Sequence, residues 1–244
     1  MKKNFFFLLF MLLSLSTLAQ SGLPRNFERT IAKMGLGKDE PLVKFGIKAG
    51  VNLSGIHTKD FVTPWGVLTD KIAPPKYGVI GGIVVDFRIS DYFSIQPELL
   101  ATTKGCIREG SVSSSVLGGS GHRKWQVNLL YLELPLFFVG KIPVGYNNIF
   151  LGIGPYIAYG IYGKGKDLLE VNTDSVVKTT DEIFTGANKL FNPLDIGAFF
   201  CTGFEWDMGL FLNVGYSRGL VSIAGDNEGK VVNNGINVSV GFKF

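Results

Sequence analysis

The last fourteen residues, Val231 to Phe244, read VVNNGINVSVGFKF and constrain the fold more than any other stretch. From Ile236 they alternate without a slip: Ile236, Val238, Val240, Phe242 and Phe244 share one face, and Gly235, Asn237, Ser239, Gly241 and Lys243 share the other. A period of two means a β-strand, because successive side chains point to opposite sides of the backbone. One face is wholly apolar and the chain stops on Phe. A soluble protein would turn that face to a core; a transmembrane barrel would turn it to lipid.

The N-terminus favours export. Residues 1–19 combine Lys2 and Lys3, an apolar run from Phe5 to Leu13, and the small-residue site Thr17-Leu18-Ala19, the pattern of a cleaved secretory signal peptide. The run is short of the ~20 residues a membrane helix needs, and no Cys follows the cleavage site to take a lipid. Residues 20–43 then form a periplasmic N-terminal segment. Within it Asn26 could cap a short helix bearing Phe27, Ile31 and Met34, with Gly35 ending it, but a loosely held linker is the preferred reading. Loss of Lys2 and Lys3 lowers the formal net charge from +4 to +2, too balanced for an electrostatic nucleic-acid binder.

Residues 44–244 divide into eight stretches of alternating character: 44–54, 77–89, 92–106, 125–141, 149–163, 192–206, 210–219 and the C-terminal one. Their connections alternate in length, with 55–76, 107–124 and 164–191 long and polar, 90–91, 142–148 and 207–209 short, and 222–231 moderate. An even strand count with alternating loop lengths marks an outer-membrane barrel, short turns lying in the periplasm and long loops outside. Tyr77, Tyr92, Phe93, Trp125, Tyr162, Phe204 and Trp206 fall near strand ends, where interfacial aromatics belong. The expected fold is all-β: an eight-stranded antiparallel transmembrane up-and-down β-barrel in the bacterial outer membrane, with both termini periplasmic.

The first strand carries G-x-K-x-G-x-N-x-S as Gly46, Lys48, Gly50, Asn52 and Ser54. This resembles the opening strand of the PorT-type outer-membrane β-barrel family of Bacteroidetes. YLELP (131–135) resembles that family's fourth strand and GYSRGLVSI (215–223) its seventh, so the likeness runs from about residue 44 to the end. It implies a porin-like barrel domain without a cofactor, and by the family's name alone an accessory part in type IX protein secretion.

With apolar residues turned to lipid, the lumen receives Lys44, Lys48, Asp86, Arg88, Gln96, Glu98, Lys104, Glu133, Glu205 and Lys243. An eight-stranded barrel is only wide enough for its own side chains, and buried charges must pair. A salt-bridged plug involving Lys48 and Arg88 is therefore expected around Glu98 and Glu133; an acid–base carboxylate pair is the chemical alternative. The fourth stretch poses a problem, since Gln126 and Asn128 share one parity and Glu133 the other. A bulge near Leu130 that resets the phase is the expected solution.

Catalytic motifs are absent, and the chain reads as a non-enzyme. His57 and His122 lack metal-ligand spacing, leaving His57 with Asp60 as a formal loop candidate. Cys106 and Cys201 share the inner parity but should differ in height by more than the ~7 Å that a disulfide spans, so two packed thiols are expected. The partners this reading names are outer-membrane lipid, the barrel-assembly machinery through the terminal signal Phe242 and Phe244, and a secretion-system or extracellular partner.

Overall fold

A computed structural model describes residues 41–59, 61–63, 66–68, 75–114, 119–171, 174–180, 183–184, 191–224 and 230–244. The signal peptide, nearly all of the 20–43 segment and Asp60 lie outside these residues. No described helix is long and apolar enough to cross a membrane.

The described strands are β1 (Val43–Lys59), β2 (Phe61–Thr63), β3 (Gly66–Leu68), β4 (Lys76–Ser90), β5 (Phe93–Ser114), β6 (Gly119–Val144), β7 (Asn147–Val171), β8 (Asp174–Thr180), β9 (Leu194–Glu205), β10 (Leu210–Gly219) and β11 (Lys230–Lys243). Eight of them close a ring in the order β6-β5-β4-β1-β11-β10-β9-β7, with β7 returning to β6. Every pairing is antiparallel. The last strand therefore closes against the first, running from Gly46 opposite Lys243 to Lys59 opposite Lys230. Closure removes the sheet edges that hydrocarbon would leave unsatisfied. β8 adds to β7 alone, and β2 pairs with β3.

The alternation of β11 continues round the ring. Ile47, Val51, Val79 and Ile153 are each 59% exposed on the outer wall, while Lys48, Glu98, Glu133 and Lys243 are at most 5% exposed inside. A soluble fold would reverse this arrangement, and an apolar outer belt with a polar interior is what lipid demands. Tight turns gather at one end of the barrel: Asp91-Tyr92, Gly145-Tyr146 and Asp207-Met208. Gly145 and Gly209 hold φ of 63° and 91° there, in the left-handed region that favours glycine. Phe244 joins the same end, exchanging backbone hydrogen bonds with Phe45.

At the far end two expectations change. Segments 107–124 and 164–191, read as loops, are largely strand: β5, β6 and β7 run for 22, 26 and 25 residues, against 12 for β9 and 10 for β10. Above the bilayer a strand needs no apolar alternation, because water accepts both faces while neighbouring strands continue the ladder. Nor does β6 change phase. Val127, Leu129, Tyr131, Glu133, Phe137 and Val139 are all buried on one parity, and Gln126 and Asn128 stay on the outer side. The register does shift between Leu130 and Tyr131, but the extra residue is Ile161 of β7, which falls between partners Gly160 and Tyr162. It is β7 that flips, so that Ile161 and Tyr162 are both exposed while Gly160 and Gly163 are both buried.

Candidate functional site

The lumen holds the convergent polar groups, and they lie in layers. Next to the turns, Lys243 of β11 sits 2.7 Å from Asp86 of β4 and 2.8 Å from Glu205 of β9, and Lys141 of β6 reaches Asp86 at 2.9 Å and Glu205 at 3.7 Å. Four strands are thus tied across the floor. Lys44 is half-buried with Asp86 as its register partner. Arg88, expected to join the Glu98–Glu133 plug, instead lies 3.7 Å from Asp91 at the turn; its strand position is too close to the barrel end to reach the middle.

One layer up, Lys48 pairs with Glu98 at 2.5 Å, and Gln96 donates to Glu98 at 2.7 Å. Above that, Lys104 meets Glu133 at 2.6 Å and Asp195 at 3.3 Å. Thr102 donates to Glu133 at 3.1 Å, and Asp195 accepts from Asn233 at 2.9 Å and from the Tyr156 hydroxyl at 3.2 Å. Glu98 and Glu133 therefore belong to different layers, each with its own ammonium, and they form no carboxylate pair. Three of the four paired lumen lysines also sit over rings: Lys48 over Phe137 at 5.8 Å, Lys104 over Tyr156 at 5.0 Å, and Lys243 over Phe211 at 5.3 Å. Such cation–π contact adds to the pairing of the buried ammoniums.

Beyond the ions the lumen turns apolar. Ile183, Phe191, Ile223 and Val231 are at most 2% exposed and pack with Val127 and Leu129 in one cluster. The Phe184 ring meets Tyr131 edge-on at 5.5 Å. A Cβ at Gly160 would come within 2.4 Å of that ring, so only glycine admits Phe184 here. Backbone bonds pin these segments together: Phe191 donates to Ile183, Asn192 to Ile223, and Ile223 to Val231. A cavity of about 10 Å³ beside Asn52, Thr102, Lys104 and Glu133 has room for about one water. Side chains fill this lumen.

The remaining expected residues fall as follows. Tyr77 and Tyr162 stand exposed at the far end, and Tyr92 and Phe93 at the turn end, where Phe204 and Trp206 touch at 4.9 Å between ring centroids. Trp125 is a correction: it shares the inner parity of Val127 and packs against the interior cluster instead of facing lipid. Phe242 and Phe244 lie on the outer face. His57 sits in β1 opposite Val232. Cys106 and Cys201 are buried thiols with no disulfide between them. No group of metal-ligating side chains occurs among the described residues.

The residues shared with the PorT-type pattern build the wall. A Cβ at Gly50 would meet the Val238 carbonyl oxygen at 2.1 Å, so glycine allows β1 and β11 to close. Asn52 reaches past β4, where Gly78 leaves space, to donate to the Thr103 carbonyl of β5 at 2.8 Å; Ser54 accepts from the Gly105 amide at 3.1 Å. Not named from the sequence were Lys141, Asp195, Tyr131, Tyr156 and Asn233, although each lies at inner parity within a stretch read there as strand.

A comparison with curated proteins gives no match. Among solved structures the chain is similar to Ail, the attachment invasion locus protein of Yersinia pestis, at 11% identity and a TM-score of 0.37, covering 82% of this chain and 98% of that one. It is also similar to Neisserial surface protein A (11%, 0.40, 82% and 97%) and to OprG from Pseudomonas aeruginosa (10%, 0.39, 82% and 95%). A family model described as outer membrane protein beta-barrel domain matches residues 38–225. With the closed ring, the lipid-adapted outer wall and this match together, the chain belongs to the outer membrane protein beta-barrel domain family and is a barrel of the bacterial outer membrane.

Proposed function

We propose that the protein is a non-enzymatic platform whose turn end and termini face the periplasm, and whose tall β5–β8 wall binds a partner outside the cell. The observation that carries this is the asymmetry of the wall: β5, β6 and β7 outrun β9 and β10 by ten residues or more. A lipid span needs only ~9–11 residues per strand, so the excess is not required for anchoring. A lumen packed with paired ions and capped by apolar side chains argues against a diffusion pore. Function then falls to the outer extensions, as it commonly does on rigid scaffolds. Two measurements test the reading. Proteinase K applied to intact cells should cut within 107–124, and a variant with that hairpin shortened to a two-residue turn should lose binding to whatever extracellular polymer the full protein retains on a glycan and matrix-protein array. Protection of 107–124 in intact cells would reverse the orientation.

A second reading, an accessory role in type IX secretion with residues 20–43 as the contact, follows from the PorT-type resemblance. Its support is the match of Gly46, Lys48, Gly50, Asn52 and Ser54 to that family's pattern. Comparing secreted and surface proteins of a deletion strain with its parent tests it: cargo proteins missing as a group support it, and an unchanged set rejects it.

A further inference from the structure

The outer face of β6 and β7 changes character over a short distance, and on that face we propose a binding surface for the phosphate of anionic lipid headgroups. Leu132, Leu134, Leu136 and Phe138 of β6 and Ile149 to Ile161 of β7 make up the apolar wall. From Ile149 to Ile161 the height at ~3.3 Å per residue and ~40° tilt is ~30 Å, a full hydrocarbon thickness. Directly above stands Tyr162, 51% exposed, opposite Leu130. The next two positions on the same face are Lys164, opposite Asn128, and Lys166, opposite Gln126.

Both lysines are exposed, and the flip of β7 at Ile161 is what places them on this side. Without the extra residue they would take inner parity, and Gly163 and Gly165 would face out. The flip thus keeps small residues over the apolar cap and sends the ammoniums outward. Lys124 lies one row higher, with Leu168 of β7 and Glu109 of β5 as its register partners. The basic side chains nearest the apolar wall are Lys164 and Lys166, with two amide side chains, Asn128 and Gln126, beside them as hydrogen-bonding groups.

Whatever touches this surface must continue upward from hydrocarbon, because the same face immediately below is lipid-covered. That geometry selects a membrane lipid over a soluble anion. The chemistry of two ammoniums with neutral amides selects a phosphate at the headgroup level. Assignment of the site to the outer leaflet rests on the orientation proposed above; binding itself does not.

The test is titration of the detergent-purified full chain with monophosphoryl lipid A, read as bound copies by native mass spectrometry, against dephosphorylated lipid A and phosphatidylcholine. Each lysine near an anionic headgroup is worth about fivefold, so Lys164→Gln with Lys166→Gln should bind monophosphoryl lipid A about 25-fold more weakly. Phosphatidylcholine retention should be unchanged, as should lipid A binding by Arg218→Gln on β10, which lies beyond β9 and in register with the apolar stretch of β7 at Pro155. Unaltered gel migration of the unheated band confirms that the variants fold. Equal affinity for the phosphorylated and dephosphorylated lipid, or equal affinity of wild type and double variant, overturns the proposal. Protease protection of 107–124 in cells would overturn only the leaflet assignment.

Discussion

Lys104 stands 2.6 Å from Glu133, and because the same ammonium also faces Asp195, two buried carboxylates share one buried cation. Tyr156, Asn233 and Thr102 donate the hydrogen bonds that make this excess of negative charge tolerable. The imbalance sets an order of mutational costs. Lys104→Met abandons two carboxylates in the lumen and should destabilise by about 3–5 kcal/mol or prevent folding. Glu133→Gln leaves Lys104 paired one-to-one with Asp195 and should cost much less. Urea unfolding in detergent reads the difference; equal costs would contradict the arrangement.

The floor of the lumen makes a second comparison possible. Asp86 accepts from Lys141 at 2.9 Å and from Lys243 at 2.7 Å, whereas Glu205 lies at 2.8 Å from Lys243 but 3.7 Å from Lys141. Asp86→Asn removes one more short charged hydrogen bond than Glu205→Gln, so it should be the costlier by about 1.5–3 kcal/mol in the same unfolding assay.

Closure of the barrel depends on glycine at the β1–β11 seam. Gly50→Val drives a side chain into the Val238 carbonyl, with the nearest approach at Cβ only 2.1 Å, and should abolish the fast-migrating unheated band on a gel. Gly81→Val is the control: the nearest atom to its Cβ is at 3.5 Å, on the outer wall, and the variant should keep that band.

The apolar cap predicts a local effect. Phe184→Ala removes the ring that fills the space over Gly160 and meets Tyr131, at a cost of about 3–5 kcal/mol to that contact. Hydrogen exchange should then accelerate at the amides of Phe191 and Asn192, which hold this region to Ile183 and Ile223, while β10 and β11 keep their protection.

Much of this was legible from parity. Lys48, Asp86, Glu98, Glu205 and Lys243 could be assigned to the lumen because a strand offers only two faces and lipid claims one of them. What the pattern hid has physical causes. Trp125 was misread because polar Gln126 and Asn128 suggested a change of phase, when above the bilayer polar residues sit on the outer face at no cost. The register shift itself lies in β7, where two consecutive apolar residues, Ile161 and Tyr162, mark it. Asp195, two residues after Pro193 and within the expected strand 192–206, shares the parity of Cys201 and Glu205 and could have been assigned to the lumen with them. Extension of β5 to β7 into segments rich in Ser and Gly was not legible, because ladder hydrogen bonds there are independent of side-chain pattern.

Apolar residues stand outside and ions within, and a nitroxide scan along β11 tests this inversion most directly. Labels placed singly from Ile236 to Lys243 in the reconstituted protein should show high oxygen accessibility at 236, 238, 240 and 242 and low accessibility at 237, 239, 241 and 243. A flat profile, or one with the opposite phase, would contradict a lipid-facing wall.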